Sequence, residues 1–228
     1  MSTTTALPTF AHATRVNRSL TAALEKRTLL WLAERTPAFV NSDHLTLLGF
    51  LAQISAGASF AMTHWDRRFL LLVPISIVLN WLGDSLDGTL ARVRRQERPR
   101  FGFYADHVVD LFGALALMGG LALSPYVHAV VAMAMLIGFL LLSAESFLAT
   151  YTLGKFELSH ALFGPTEIRI LLCCGAAALW HSPNAHLFGY SFLLFDIGGV
   201  IASFCMFAMA AWCAAKHTAQ LFREEPRA

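Results

Sequence analysis

The sequence predicts an all-α integral membrane protein, with six transmembrane helices that follow an N-terminal amphipathic helix at the membrane interface. Of its 228 residues, 56% are hydrophobic and only 14% are charged, whereas soluble domains carry about 25% charged residues. The mean hydropathy is +0.56. Six apolar stretches each approach the roughly 20 residues that a helix needs to cross a bilayer. The net charge of +2 is too small to indicate a nucleic-acid partner.

Residues 1–40 form a separate N-terminal segment. Between Asn17 and Ala33, basic residues alternate with leucine, alanine and Trp31, which predicts an amphipathic helix lying on the membrane surface. Pro37 should end this helix, because proline lacks the backbone N–H that a helix interior requires. A flexible tail is the alternative interpretation of the segment.

A single membrane domain is expected over residues 41–216, followed by a cytoplasmic tail at 217–228. Pro74 lies inside the second apolar stretch and could kink that helix. The six predicted spans are residues 44–64, 69–91, 104–123, 127–150, 165–181 and 189–214.

The lysines and arginines indicate how the chain lies in the membrane, because cytoplasmic loops are rich in them. With six spans, all 17 of these residues except Arg67 and Arg68 fall on the side that holds both termini. The sequence therefore predicts that the termini and the loop after the second span face the cytoplasm. A bacterial inner membrane is the expected location.

Four aspartates stand in two apolar helices, at spacings that place them on one face of each helix. Two antiparallel helices joined by a short basic loop would turn these stripes toward each other. The first stripe holds Asp84, Asp87, Gly88, Ala91 and Arg92, and the second holds Gly102, Asp106 and Asp110.

Four carboxylates at a membrane boundary need a counter-charge, because a charged group without a partner is expensive to bury in lipid. One divalent cation, or two, would supply it. Oxygen ligands suit hard cations, so we expect Mg²⁺, with Mn²⁺ or Ca²⁺ as substitutes. The expected ligands are Asp84, Asp87, Asp106 and Asp110. Solvated acids paired with neighbouring arginines are the alternative.

This 27-residue pattern resembles the signature of the CDP-alcohol phosphatidyltransferases, integral membrane enzymes of phospholipid synthesis. The gap between Arg92 and Gly102 is one residue longer than is usual, and the extra residue falls in the basic loop. The segment 43–46 is also similar to the start of the family's first span. The resemblance implies transfer of a substituted phosphate from a CDP-linked donor to an alcohol, with release of CMP. It also implies two Mg²⁺ or Mn²⁺ ions, and Asp110 as the general base.

By the same resemblance, Gly88, Ala91, Arg92 and Gly102 would contact the substrate. Small residues leave room for the cytidine, and the guanidinium of Arg92 offers a planar fork of donors. A membrane-interface anchor is the alternative for Arg92. The arginines that follow it are expected to be solvated loop charges, and they are Arg94, Arg95, Arg98 and Arg100.

Lys155 and Arg169 are further candidates for binding a phosphate, either of the acceptor or of the donor lipid. They lie where the fourth and fifth spans meet, and Arg169 comes one turn after a helix start near Pro165. The alternative for Arg169 is a side chain that snorkels to the membrane surface.

The expected donor is CDP-diacylglycerol and the expected acceptor a small polar alcohol, since a lipid donor explains a site at the membrane boundary. CDP-choline or CDP-ethanolamine acting on diacylglycerol carries the same signature and remains an alternative. A cation- or proton-coupled transporter would need acids spread through the membrane depth, whereas four acids crowd one junction here.

Other polar residues in the apolar stretches have open roles. Glu145 and Asp196 are acids within the fourth and sixth spans, and they are candidates for function or for helix packing. Gly198 and Gly199 could pack against another helix or a second protomer, and a homodimer is the family-level expectation. Loop or interface positions, rather than metal ligation, are expected for His44, His107 and His160.

Overall fold

The computed structural model describes residues 14–16, 21–157, 165–187 and 189–225, and most of these residues lie in helices. Within these ranges the strands are short: Thr14–Val16 pairs in parallel with Lys155–Glu157, and Asn184–Leu187 pairs in antiparallel fashion with Tyr190–Leu193. None of these strands was expected from the sequence. The elements are β1 (Thr14–Val16), α1 (Ala22–Arg35), α2 (Ser42–Met62), a 3₁₀ helix (Arg67–Leu71), α3 (Leu72–Val93), α4 (Pro99–Ala122), α5 (Ala129–Leu153), β2 (Lys155–Glu157), α6 (Pro165–His181), β3 (Asn184–Leu187), β4 (Tyr190–Leu193) and α7 (Leu194–Glu224).

Five helical segments of the described chain are long and apolar enough to cross a membrane. They are α2, α3 together with its 3₁₀ turn, α4, α5 and α7. The predicted all-helical class is therefore confirmed, with five candidate membrane spans among the described residues. The stretch predicted as the fifth span, residues 165–181, forms α6 with the predicted bounds, but its 17 residues make it shorter than the other five.

Helix α1 packs on α2 and α3 through one face. It begins later than the predicted start at Asn17 and ends just before Pro37, and residues 17–20 lie outside the described ranges. Its buried residues Leu29 and Ala33 join an apolar cluster with side chains of α2 and α3. Only part of its apolar surface is therefore in contact with the protein, because three large apolar side chains of this helix are exposed.

Glycines bring α2 into close contact with both α3 and α4. A Cβ atom at Gly83 would overlap the backbone of Gly49, and one at Gly120 would overlap the backbone of Gly57. Small residues at such crossings let helix backbones touch. Helix α2 therefore packs against both α3 and α4, which matters because those two helices carry the aspartates.

Pro74 lies at the start of its helix and not within it. It occupies the first turn of α3, where the missing N–H has no intrahelical acceptor to lose. The irregular backbone in this span comes earlier, because residues 67–71 form the 3₁₀ helix. The carboxylate of Asp66 caps that helix by accepting a 2.8 Å hydrogen bond from the backbone N–H of Arg68.

The sixth predicted span, residues 189–214, begins at the wrong place. Residues up to 193 belong to the hairpin of β3 and β4, and its turn contains Gly189 with a φ angle of +84°, a left-handed conformation that glycine adopts easily. Helix α7 therefore starts at Leu194. It continues to Glu224, so most of the predicted tail at 217–228 is helical.

Candidate active site

Three aspartates from α3 and α4 converge at one point in the helical bundle. One carboxylate oxygen from each of Asp84, Asp106 and Asp110 lies within 4.8 Å of the others. Asp106 and Asp110 are one turn apart on α4, and Asp84 comes from the neighbouring α3. Ionised carboxylates at this separation repel one another, and a divalent hard cation would relieve the repulsion. The structure thus brings together three of the four predicted ligands.

Asp87, the fourth predicted ligand, lies in the wall of the same cavity but outside this group of three. Its buried carboxylate accepts a 2.6 Å hydrogen bond from Oγ1 of Thr46 on α2. Its backbone carbonyl accepts a 3.1 Å hydrogen bond from Oγ of Ser42. Helix α2 therefore fixes α3 at the position of this carboxylate. In the sequence, Thr46 stands out only as part of the family resemblance, and this contact is not predicted.

Polar side chains that the sequence analysis missed complete the cavity. Asn80 of α3 and Gln53 of α2 both line it. The amide of Asn80 donates hydrogen bonds to the carbonyl of Gly49 at 3.0 Å and to Oε1 of Gln53 at 3.4 Å. A signal for Asn80 was present, because it precedes Asp84 and Gly88 at intervals of four residues and so extends the first stripe by one turn.

Arg169 reaches the carboxylates from α6. Its Nη2 donates a 2.5 Å hydrogen bond to Oδ2 of Asp84, and its Nε donates a 2.9 Å hydrogen bond to Oδ1 of Asn80. These contacts direct the side chain into the bundle, which differs from the snorkelling alternative. The backbone of Lys155 forms part of β2, and its side chain lies outside the described part of the structure.

The residues predicted to bind the nucleotide lie at the end of α3 and the start of α4. Arg92 is exposed, and its Nη2 donates a 3.0 Å hydrogen bond to Oγ1 of Thr89. A Cβ atom at Gly88 would lie 3.5 Å from Nη1 of Arg92, whereas one at Gly102 would meet no atom within 4 Å. Ala91 is half-buried beside them. The backbone at Gly102 is therefore open to the approach of another molecule.

One loop arginine has a structural role that the sequence analysis missed. Arg94 was expected to be a solvated charge, as were the arginines that follow it. Instead, its guanidinium donates hydrogen bonds to the carbonyls of Thr36 at 2.8 Å and Pro37 at 2.9 Å, and also to that of Val40. It therefore fastens the connection between α1 and α2 to the end of α3.

The two acids outside the site each contact a histidine. Oε1 of Glu145 lies 2.5 Å from Nδ1 of His217, which joins α5 to α7. Asp196 accepts a 2.8 Å hydrogen bond from the backbone N–H of His128, and its second oxygen lies 2.5 Å from Nδ1 of the same residue. Of the two interpretations left open by the sequence, these contacts favour helix packing.

The histidines considered as metal ligands lie elsewhere. His44 takes part in the capping box of α2, and Nδ1 of His107 lies 2.6 Å from the carbonyl oxygen of Phe103. Within the described ranges, the group of side chains that could hold a metal consists of aspartates. His160 lies outside those ranges.

Helix α7 meets α5 at one of the two glycines singled out in the sequence. A Cβ atom at Gly199 would lie 2.5 Å from Cγ1 of Val131, so Gly199 packs against another helix of the same chain. A Cβ atom at Gly198 would meet nothing within 4 Å.

The fold and the site define a multi-pass membrane protein whose helices carry a carboxylate cluster suited to a divalent cation. Comparison with known protein families identifies the family: the one described as CDP-alcohol phosphatidyltransferase matches residues 39–215. The chain belongs to the CDP-alcohol phosphatidyltransferase family. No curated protein matches the sequence.

Membership in this family shows what class of reaction the protein performs. It is a phosphotransferase of phospholipid biosynthesis, which moves a phosphatidyl-type group from a CDP-alcohol to an alcohol acceptor. The family uses a divalent metal, and Asp84, Asp106 and Asp110 are the group that could hold it. Membership therefore favours the transferase over the transporter alternative.

Proposed function

We propose that the protein transfers the phosphatidyl group of CDP-diacylglycerol to a small polar alcohol and releases CMP. The observation that carries this proposal is the convergence of Asp84, Asp106 and Asp110 within 4.8 Å, in helices apolar enough to cross a membrane. Exposed apolar side chains, including Phe112 and Leu115, continue along α4 beyond Asp110. A donor with two acyl chains could keep them in lipid along this surface while its diphosphate reaches the carboxylates.

Two Mg²⁺ ions, or Mn²⁺ in their place, are proposed to be held by Asp84, Asp87, Asp106 and Asp110. The donor set fits, because carboxylate oxygens are the ligands that these hard cations prefer. The hydroxyl of Thr46 would orient Asp87 through its 2.6 Å hydrogen bond. When bound, such ions neutralise the negative charge that develops on the diphosphate as CMP leaves.

Asp110 is proposed to be the general base. The oxygen of the acceptor alcohol forms a bond to the phosphorus of the phosphatidyl group, and the bond between that phosphorus and the oxygen of CMP breaks. The carboxylate of Asp110 takes the proton of the attacking hydroxyl. Its neighbours in the cluster, Asp84 and Asp106, would hold the donor in place through the bound ions.

The remaining site residues are proposed to bind the substrates. Gly88, Ala91 and Gly102 would make room for the cytidine, and Arg92 would contact its phosphate or its base. Arg169 and Lys155 would contact the phosphate of the acceptor or of the donor lipid. Support comes from the open space at Gly102 and from the position of Arg169 beside Asp84.

The chain is proposed to lie in a bacterial inner membrane, with the site and both termini facing the cytoplasm. In this arrangement α6 is a sixth span: its 17 residues rise about 26 Å, and a small local thinning of the bilayer accommodates such a helix. Residues 1–40 would form an interfacial segment in which α1 lies at the surface, 41–216 the membrane domain, and 217–228 the tail. A homodimer is the proposed assembly.

The experiment that tests this function measures CMP released by the purified protein in detergent with Mg²⁺. CDP-diacylglycerol is supplied with a panel of alcohols, and the lipid products are identified by mass spectrometry. The proposal requires alcohol-dependent CMP release that chelation of the metal abolishes. CMP released from CDP-choline or CDP-ethanolamine with diacylglycerol would assign the reverse arrangement instead, and CMP from neither donor type would overturn the function.

A further inference from the structure

Asp84 lies between acidic neighbours on one side and a basic neighbour on the other. Asp106 and Asp110 lie within 4.8 Å of it in the cluster and repel it when ionised. The guanidinium of Arg169 lies 2.5 Å from its Oδ2. In this ion pair the side chain of Arg169 is only 15% exposed and that of Asp84 only 21%. Water therefore screens the attraction only in part, and Arg169 offsets some of the repulsion among the acids.

Asn80 holds the guanidinium in this position. Its Oδ1 accepts a 2.9 Å hydrogen bond from Nε of Arg169, and its Nδ2 is tied to the carbonyl of Gly49 at 3.0 Å. Asn80 is buried and lies one turn from Asp84 on α3. The guanidinium is thus attached at two points, to an amide and to a carboxylate, on the same face of one helix.

We propose that Arg169 is a resident counter-charge of the carboxylate cluster, held there by Asn80, and that it competes with the divalent cation for Asp84. The inference rests on the metal site of the proposed function. Two cations that share one carboxylate weaken each other's binding, and this coupling is reciprocal. A guanidinium displaced from Asp84 is then available to a substrate phosphate, which would couple metal binding to substrate binding.

The direction in which metal affinity changes distinguishes this role from that of a ligand or of a structural support. Loss of a ligand weakens metal binding, whereas loss of a competing cation strengthens it. Asn80 is a positioning residue in this scheme, because it acts on the metal only through Arg169. Its removal should strengthen metal binding by less than the removal of Arg169 itself.

The test measures Mn²⁺ affinity directly. Mn²⁺ is titrated into the whole chain in detergent without substrate, and the electron paramagnetic resonance signal of the free ion is recorded. We expect Arg169→Gln to tighten Mn²⁺ binding at least about tenfold, and Asn80→Ala to tighten it by a smaller factor. Arg169→Lys keeps the charge and should stay closer to the unaltered protein. In an Asp84→Asn background, Arg169→Gln should lose most of its effect, because the shared carboxylate is gone.

Ser76 provides a matched control for Asn80. It lies one turn before Asn80 on α3, it is buried, and its Oγ is 3.0 Å from Oγ of Ser55 on α2. Ser76→Ala therefore also removes a buried hydrogen bond between these helices, but away from the cavity, and should leave Mn²⁺ affinity unchanged.

The outcomes separate this inference from the function on which it rests. Unchanged or weaker Mn²⁺ binding in Arg169→Gln would overturn the competition. An Asn80→Ala affinity equal to that of Ser76→Ala would overturn the positioning role. If the unaltered protein bound no Mn²⁺, the proposed metal site would fail and this inference with it. Melting temperatures of all variants, measured in parallel, identify any variant that has unfolded, and Arg169→Met, which also removes the charge, then replaces Arg169→Gln with the same expected direction.

Discussion

The hydroxyl of Thr166, in the first turn of α6, donates a 2.8 Å hydrogen bond to Oε1 of Glu25 in α1. The same oxygen accepts a 3.1 Å hydrogen bond from the indole N–H of Trp81 in α3. In the reverse direction, Thr21 donates from its backbone N–H and its hydroxyl to Oε1 of Glu167, at 3.0 and 2.8 Å. Helix α1 is therefore fastened both to α3 and to the start of the helix that carries the arginine of the site.

Replacing Glu25 should loosen this attachment. Glu25→Ala removes the acceptor of two hydrogen bonds, so we expect the free energy of unfolding to fall by about 1–3 kcal/mol. The measurement is thermal unfolding in detergent. Glu34→Ala on the exposed side of the same helix is the matched control, and it should change stability by less than about 0.5 kcal/mol. Equal melting temperatures for the two variants would contradict the importance of the attachment.

Removing the hydroxyl of Thr46 should impair the use of metal. Thr46→Val keeps the shape of the side chain but deprives the carboxylate of Asp87 of its 2.6 Å hydrogen bond. Hydrogen bonds to charged groups contribute about 1.5–3 kcal/mol, so we expect CMP release at limiting Mg²⁺ to fall roughly ten- to a hundredfold. Thr46→Ser keeps the hydroxyl and should retain most of the activity. A Mg²⁺ dependence that is the same in all three proteins would show that Asp87 does not need this support.

Two adjacent glycines on α4 offer a matched pair for the packing of α2 against α4. A Cβ atom at Gly120 would overlap the backbone of Gly57, whereas one at Gly119 would meet nothing within 4 Å. Gly120→Ala should therefore destabilise the protein by about 1–3 kcal/mol or more. Gly119→Ala should be neutral or stabilising by up to about 1 kcal/mol, because alanine favours helix. Thermal unfolding of both variants checks the difference, and a similar loss in each would mean that the crossing is not tight.

Asp110→Asn separates the role of base from the role of ligand. If Asp110 takes the proton, turnover should fall about 10²- to 10⁴-fold while binding of a labelled CDP donor changes little. Asp106→Asn is the comparison, because a residue that only helps to hold metal should lower donor binding and turnover together. A parallel loss of binding and turnover in Asp110→Asn would make it chiefly a ligand. Equilibrium binding and initial rates on the same preparations decide between these outcomes.

The convergence of the acids could be predicted because the evidence for it is local. Asp106 and Asp110 share a face by helical periodicity. Because the connection between α3 and α4 is short, Asp84 is expected to lie near them. The partner of Asp84 could not be predicted, since Arg169 is 85 residues away in sequence. Its position depends on how α6 packs, and periodicity within one helix carries no information about that packing.

Hydropathy predicted the helices correctly where an apolar stretch is helical throughout. It misplaced a boundary where an apolar stretch contains a strand. Tyr190 and Phe192 are as apolar as residues of a span, yet they form a hairpin strand, so the start of α7 was placed too early. Asn80 was overlooked for a related reason, because a single amide in an apolar run resembles a packing residue until its partners are known. Arg94 was expected to be solvated because the residues beside it are charged. Its role instead depends on three backbone carbonyls that accept its hydrogen bonds.

The order of translation has a consequence for the ion pair between Asp84 and Arg169. The ribosome completes α3 and α4 at Ala122, 47 residues before it reaches Arg169, an interval of several seconds at about 5–20 residues per second. During that time the nascent hairpin contains Asp84 but not the guanidinium of α6, so soluble cations have the first access to its carboxylate.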